Sequence, residues 1–245
     1  MQEFEIKKKE LDFRTKEAFK TLRTNIEFSG ENTRVICVTS AMPNEGKSSI
    51  SFELAQSFAI AGKKTILIDA DLRKSVMRTH YRRGNVKYGF THYLVGKKSF
   101  EEVLCKTDTP NFFMVFAGPT PPNPSELLGA ERFSKLIAEL REEYDFVIID
   151  TPPVGSVIDA SIVSKSTDGV VVVLSSGAVS YQFARKIKEQ LDTAGARVLG
   201  VVLNKFDLSG KSYYGKYYGK YYGKYYGNYE NQEGAEKTAA GSAEK

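Results

Sequence analysis

Residues 35–50 read VICVTSAMPNEGKSSI. The apolar run Val35–Thr39 gives way to a turn-rich stretch ending in Gly46-Lys47-Ser48, and apolar residues then return at helical spacing from Ser51 to Ala61, closing at Gly62. A strand, a glycine loop and a helix in that order build a cradle for phosphate. The glycine admits close backbone approach, the helix start aims N–H groups at an anion, the lysine reaches the outer phosphates and the serine hydroxyl reaches Mg²⁺. Ala41 stands where such a loop usually has its first glycine, so the flanking strand and helix carry the assignment.

Outward from this loop, strand-length apolar runs recur at Thr65–Ile68, Phe112–Phe116, Phe146–Ile149, Val170–Leu174 and Val198–Leu203. Most lack alternation, as expected of parallel strands covered on both faces. Helical spacing fills the gaps: Glu126–Arg141 follows Asn123-Pro124-Ser125, and Tyr181–Thr193 closes at Gly195. Ahead of the first strand, Thr15–Phe28 puts Phe19, Leu22 and Ile26 on one helix face. Gly118–Pro124 (GPTPPNP) reads as a rigid loop. The expected fold is α/β, a doubly wound and mostly parallel sheet forming a P-loop NTPase domain over residues 1–208.

Two further strands end in carboxylates, Asp69-Ala70-Asp71-Leu72-Arg73 and Asp150-Thr151-Pro152-Pro153. In a parallel sheet these emerge at the same edge as the phosphate loop. Asp69, Asp71 and Asp150 beside Lys47 and Ser48 suit a metal held partly through water, with one carboxylate left to act as base. A lone strand-end aspartate would read as a loop or helix cap; three at these places read as a site. The loop residues Asn44, Glu45, Gly46, Lys47, Ser48 and Ser49 are the candidate nucleotide contacts.

Residues 209–245 contain no Val, Ile, Leu, Met or Phe, so they have nothing to build a core with. Tyr-Tyr-Gly-Lys repeats from Tyr213, and nine of the 14 tyrosines fall between Tyr213 and Tyr229, which marks a flexible tail with a specialised use. The net charge of +5 is too small to demand nucleic acid. Cys37 and Cys105 lack metal or redox spacing, the N-terminus lacks an apolar signal core, and no apolar run has the length of a membrane span. A cytoplasmic chain is expected.

SAMPNEGKSS, ILIDADLRKS and FVIIDTPPV resemble the Walker A, A′ and B motifs of the bacterial tyrosine kinases, in particular the stand-alone type of Gram-positive capsule and exopolysaccharide systems. GPTPPNPSELL and EAFKTLRTNI also look like segments of that family, so the similarity spans roughly residues 12–208. The resemblance implies MgATP as phosphoryl donor, with Lys47 on phosphate and Ser48 and Asp150 on Mg²⁺. Asp69 and Asp71 would help place the metal and activate a tyrosine hydroxyl. Lys47, Asp69, Asp71 and Asp150 are thus the expected catalytic set, and Ser48, Asp69 and Asp150 the metal set. The expected acceptors are Tyr213, Tyr214, Tyr217, Tyr218, Tyr221, Tyr222, Tyr225, Tyr226 and Tyr229. The resemblance further implies a homo-oligomeric ring, a membrane-anchored adaptor of the polysaccharide co-polymerase type that recruits the chain to the inner membrane face, and a cognate tyrosine phosphatase. The family's ring-forming Glu-x-x-Arg-x-x-Arg reads Glu17, Lys20 and Arg23 here, and lysine loses the bidentate fork of arginine.

Three other readings compete. A partition or septum-positioning ATPase shares this fold but carries a second lysine early in its loop, where this chain has Met42. A GTPase would explain Asn204-Lys205-Phe206-Asp207, a short match to a guanine-reading pattern. The related kinases carry a similar Asn-Lys, which makes Asn204 a base-contact candidate. An adhesive tyrosine–glycine tract would explain the tail and leave the acidic phosphate site idle.

Overall fold

The computed structural model describes residues 1–7, 10–83 and 85–206. Among these the strands are β1 (Gln2–Glu3), β2 (Glu5–Ile6), β3 (Val35–Ser40), β4 (Thr65–Asp69), β5 (Arg82–Arg83), β6 (Cys105–Lys106), β7 (Phe112–Val115), β8 (Phe146–Asp150), β9 (Gly169–Ser175) and β10 (Val198–Asn204). The helices are α1 (Phe13–Glu27), α2 (Lys47–Ile60), α3 (Met77–Tyr81), α4 (Phe90–Leu94), α5 (Phe100–Val103), α6 (Pro124–Gly129), α7 (Glu131–Glu143), α8 (Asp159–Ser164) and α9 (Tyr181–Thr193).

One sheet runs β1-β6-β7-β4-β8-β3-β9-β10, and every pairing in it is parallel except β6 against β7. All six expected strands are present with ends shifted by one residue or less. The central strands bury every residue, and they do so by splitting their side chains between two layers. Val35, Cys37, Ile66, Ile68, Val147 and Ile149 face a core shared with α4–α9. Ile36, Val38, Leu67 and Ile148 face the opposite core, built with α1, α2 and α3. Period-two alternation between two dry layers explains why the strands read as unbroken apolar runs. Within the second layer Phe58 stacks on Phe146 at 3.7 Å and Phe52 on Tyr81 at 3.8 Å between ring centroids.

The winding fixes where chemistry occurs. From β3 the chain crosses by α2 to β4, two places along the sheet, and later strands return to β8 and then to β9 on the other side of β3. The reversal at β3 leaves a crevice outside the strands' carboxyl ends, where open α/β sheets bind ligands.

The helix expected over Glu126–Arg141 is two helices. Ala130 is extended (φ −74°, ψ 152°), which ends α6 and starts α7. Gly129 is a weak helix residue, and the break lets each half bury its own apolar face: Leu128 near α8, then Phe133, Leu136, Ile137 and Leu140 on the sheet. The two-residue strands β1, β2, β5 and β6 are too short for any periodicity to announce them.

The Gly118–Pro124 loop is pinned by close backbone approach. A Cβ on Gly89 would stand 2.5 Å from the Phe116 carbonyl oxygen and 2.6 Å from the Gly118 nitrogen. Gly89→Ala should therefore destabilise the chain by about 1–3 kcal/mol, as overpacking does. Denaturant unfolding measures this, and an unchanged midpoint would show that the loop yields without cost.

Candidate active site

The loop between β3 and α2 is held by its own side chains. Ser40 Oγ donates to the Met42 carbonyl at 2.9 Å, and Glu45 Oε2 accepts from the Met42 N–H at 2.7 Å. Gly46 caps the start of α2 with φ +86°, a left-handed backbone that favours glycine. A Cβ there would also meet Asn204 Nδ2 at 2.2 Å. The loop turn additionally holds Asn44 at φ 65°.

Lys47 opens α2 and lies almost fully buried. Its Nζ is 3.0 Å from Asp150 Oδ2, 3.2 Å from Ser48 Oγ and 3.5 Å from Asp71 Oδ2. Asp150, at the end of β8 and with no exposed surface, also accepts from Ser48 Oγ on Oδ2 and from Ser51 Oγ on Oδ1, both at 2.8 Å. Parallel pairing sets Asp69 of β4 directly beside Asp150. Asp69 accepts from Ser75 Oγ and, at 3.3 Å, from the Asp71 N–H. Asp71 in turn accepts from the Lys74 N–H at 2.9 Å, a bond within the acidic turn.

Crowding of carboxylates around one ammonium shifts the ionisation of Lys47, Asp69 and Asp150. Burial opposes the Lys47 charge, but Asp150 and Asp71 outweigh it and hold the ammonium above its ordinary pKa. Burial, reinforced by Asp150, pushes the Asp69 carboxyl up to about 7. Burial raises Asp150 as well, against the pull of Lys47 and the two serine hydroxyls. Cys37, beneath the site, is pushed by burial up to about 12 and stays an inert thiol.

The structure thus brings Lys47, Ser48, Asp69, Asp71 and Asp150 to one place. Ser49 lies on the outer side of α2 in a hydrogen bond with Tyr81. Glu45 turns its carboxylate inward: besides Met42 it accepts from the Ser175 N–H at 2.9 Å, tying the loop to the end of β9. Asn204, at the end of β10, donates to the Glu45 carbonyl at 2.8 Å. Glu17 and Lys20 pair at 2.6 Å along α1, whereas Arg23 donates to the Ser57 carbonyl of α2 at 2.9 Å, within its own chain. The nine tail tyrosines and Asp207 lie outside the described residues. Sequence reasoning missed Ser51, although its place four residues after Lys47 puts it on the same helix face.

A Mg²⁺ ion fits this donor set in kind. Ser48 and Asp150 supply adjacent hard oxygens, and Mg²⁺ prefers one or two such ligands plus water and substrate phosphate. Among the described residues no group of three His, Cys, Asp or Glu forms a dedicated cage.

A protein-family model described as an AAA domain matches residues 33–199. The chain is 41% identical over 208 residues to the tyrosine-protein kinase CpsD of Streptococcus agalactiae, covering 83% of this chain and 91% of that protein. Among solved structures it is similar to the chimerical protein CapA2B2, with a TM-score of 0.73 and 38% identity over 78% of this chain and 84% of that one. The septum site-determining protein MinD of Pyrococcus horikoshii, complexed with Mg-ADP, reaches a TM-score of 0.60 at 22% identity over 74% of this chain and 72% of that one, a likeness of fold alone. With a phosphate loop, two acidic strand ends and a relative of this identity along most of both chains, the protein belongs to the bacterial tyrosine-protein kinase family.

Proposed function

We propose that the chain uses MgATP to phosphorylate tyrosines, chiefly Tyr213 to Tyr229 of its own sequence, and so regulates capsular or exopolysaccharide synthesis and export. The observation that carries this reading is Lys47 Nζ between Asp150 and Asp71 at the start of α2, in a chain similar to a protein named as a tyrosine kinase.

A phenol of pKa about 10 is almost wholly protonated at neutral pH, so its oxygen attacks the γ-phosphorus only if a base takes the proton. Asp69 or Asp71 would take that proton, and the bridging oxygen leaves with ADP. Lys47 neutralises charge on the transferring group, and the loop N–H groups orient the polyphosphate. Ser48 and Asp150 would hold Mg²⁺, which supplies charge neutralisation on the phosphate oxygens. A net-negative pocket favours that arrangement, since bare polyphosphate would be repelled from three carboxylates.

Tethering gives the tail a high local concentration at any cleft within its reach. Each transfer adds about −1.5 to −2 charge, so a few reverse the tail's positive charge. A homo-oligomeric ring through Glu17, Lys20 and Arg23 would present each tail to a neighbour's cleft. A membrane-anchored adaptor of the polysaccharide co-polymerase type would activate the kinase at the inner membrane face, and a tyrosine phosphatase would reset it. Among the described residues no helix is long and apolar enough to cross a membrane.

Incubation with labelled MgATP, with the tail present or removed, followed by mapping of the labelled residues, tests the reading. Lys47→Met should lose labelling by about 100-fold or more while the fold survives, since it removes transition-state charge stabilisation; normal labelling of a folded variant would remove Lys47 from the mechanism. Glu45→Gln leaves a backbone N–H of Met42 or Ser175 facing an amide donor, and should weaken MgATP binding by about tenfold, measured by calorimetry. For transfer between subunits, a Lys47→Met chain with its tail is mixed with an active chain ending at Gly210. Label on the inactive chain is expected; its absence, with wild-type labelling independent of concentration, would make the transfer intramolecular.

A further inference from the structure

Two residues after Asp71, the Arg73 guanidinium grips Asp159 with both arms of its fork: Nε to Oδ2 at 2.8 Å and Nη2 to Oδ1 at 2.9 Å. Asp159, the first residue of α8, has no exposed surface. Ser125, in the first turn of α6, donates through Oγ to Asp159 Oδ1 at 2.7 Å and accepts from Arg73 Nη2 at 2.8 Å. Three side chains thus close a ring of hydrogen bonds that joins three loops at the carboxyl edge of the sheet. These are the acidic turn after β4, the Pro-rich segment before α6 and the segment between Asp150 and α8.

Neither hydrophobic layer needs this knot. Arg73 is over a third exposed, and α6 meets α8 through apolar neighbours such as Gly129 and Ile162. Its position decides what it does: the backbone anchored by Arg73 is that of the turn whose Asp71 accepts from Lys74 and faces Lys47. The bidentate fork resists rotation in a way a single-point lysine does not. Misplacement of a reacting group by about 1 Å costs about 100-fold in rate.

We infer that Arg73, Asp159 and Ser125 are positioning residues that hold the Asp69–Asp71 turn aimed at Lys47, and that the Pro-rich GPTPPNPSELL segment serves catalysis by presenting Ser125 to Asp159. This rests on the assignment of Asp69 and Asp71 to proton transfer. None of the three touches the reacting atoms; they act through the turn.

The test measures initial tail labelling in the full chain at saturating MgATP, the MgATP concentration at half that rate, and the thermal midpoint. The variants are Arg73→Lys, Asp159→Asn, their double, Ser125→Ala, Ser125→Thr and, for reference, Asp69→Asn and Asp71→Asn. Arg73→Lys and Asp159→Asn should each lower the saturated rate by about 10- to 100-fold, while half-saturation moves less than about threefold. The double should lose little more than the worse single, within about twofold, as members of one network do. Ser125→Ala should lose a few-fold and Ser125→Thr should restore it. Should Asp159→Asn fail to fold, Arg73→Lys, changed on the exposed side, still decides. A near-normal rate in folded Arg73→Lys beside an inactive Asp71→Asn overturns the inference alone. So do losses that follow the thermal midpoint with a parallel rise in half-saturation. Full activity in both Asp69→Asn and Asp71→Asn overturns the proton-transfer assignment beneath it.

Discussion

Asp150 ends the strand that lies between β3 and β4, has no contact with solvent, and accepts from Lys47, Ser48 and Ser51. All three donors lie in the first turn and a half of α2. A buried carboxylate is costly to desolvate and tolerable only when paired and fully hydrogen-bonded. The pairing therefore dictates geometry: α2 must start opposite the end of β8, which fixes the loop that precedes it. The same interaction sets the electrostatics, because Lys47 is its chief counter-charge and Asp69 sits beside it in register. Removing one partner would leave the other charged and dry, so the stability of this edge and its chemistry share the same atoms.

Around that pair the loop ends are fastened to one another as well as to the layer beneath, where Ala41, Leu72 and Val154 are buried. Glu45 joins the loop to β9, Asn204 joins β10 to the loop, and Arg73 joins the acidic turn to α8. Each fastening uses a side chain on one loop and a group on another, so no segment sets its own geometry alone. Such preorganisation suits phosphoryl transfer, where positioning and charge placement do nearly all the work. It also explains why a glutamate is tolerated inside a phosphate loop: both of its oxygens are taken by backbone N–H groups.

Much of this was legible in the sequence, for a physical reason. Parallel strands buried on both faces must be apolar throughout, so β3, β4, β8 and β9 stand out as runs, and their carboxyl ends mark the site. Lys47, Ser48, Asp69, Asp71 and Asp150 followed from topology, because every parallel strand delivers its end to one edge. What escaped was set by tertiary contact. The break at Ala130 depends on two helices finding different surfaces, and β1 and β6 are strands only because they pair. Arg73, Ser125 and Asp159 are 34 to 86 residues apart in pairwise contact, and no local pattern announces such a knot. The inward turn of Glu45 was equally hidden, since its partners are backbone N–H groups that composition does not record.

The likeness to a septum site-determining protein at 22% identity is one of fold alone, and a fold of this kind hosts many functions. Both chains use a doubly wound sheet to gather loops at one edge, so the difference has to reside in what the loops carry. Here Met42 occupies the place where the partition-type pattern has its second lysine, and that side chain is exposed. A second cation at that point would add positive charge over the phosphates; in this chain Lys47 stands alone against three carboxylates among the site residues described above. In the proposed reaction that excess of acid would do two things at once: make nucleotide binding depend on an accompanying divalent cation, and leave one carboxylate free beside the phosphoryl group. An ATPase that only switches shape needs the first property; transfer to a phenol needs both, because the phenolic proton must go somewhere. In the proposed reaction the acidic turn after β4 would supply the carboxylate that takes the phenolic proton, a demand that the phosphate loop alone does not meet.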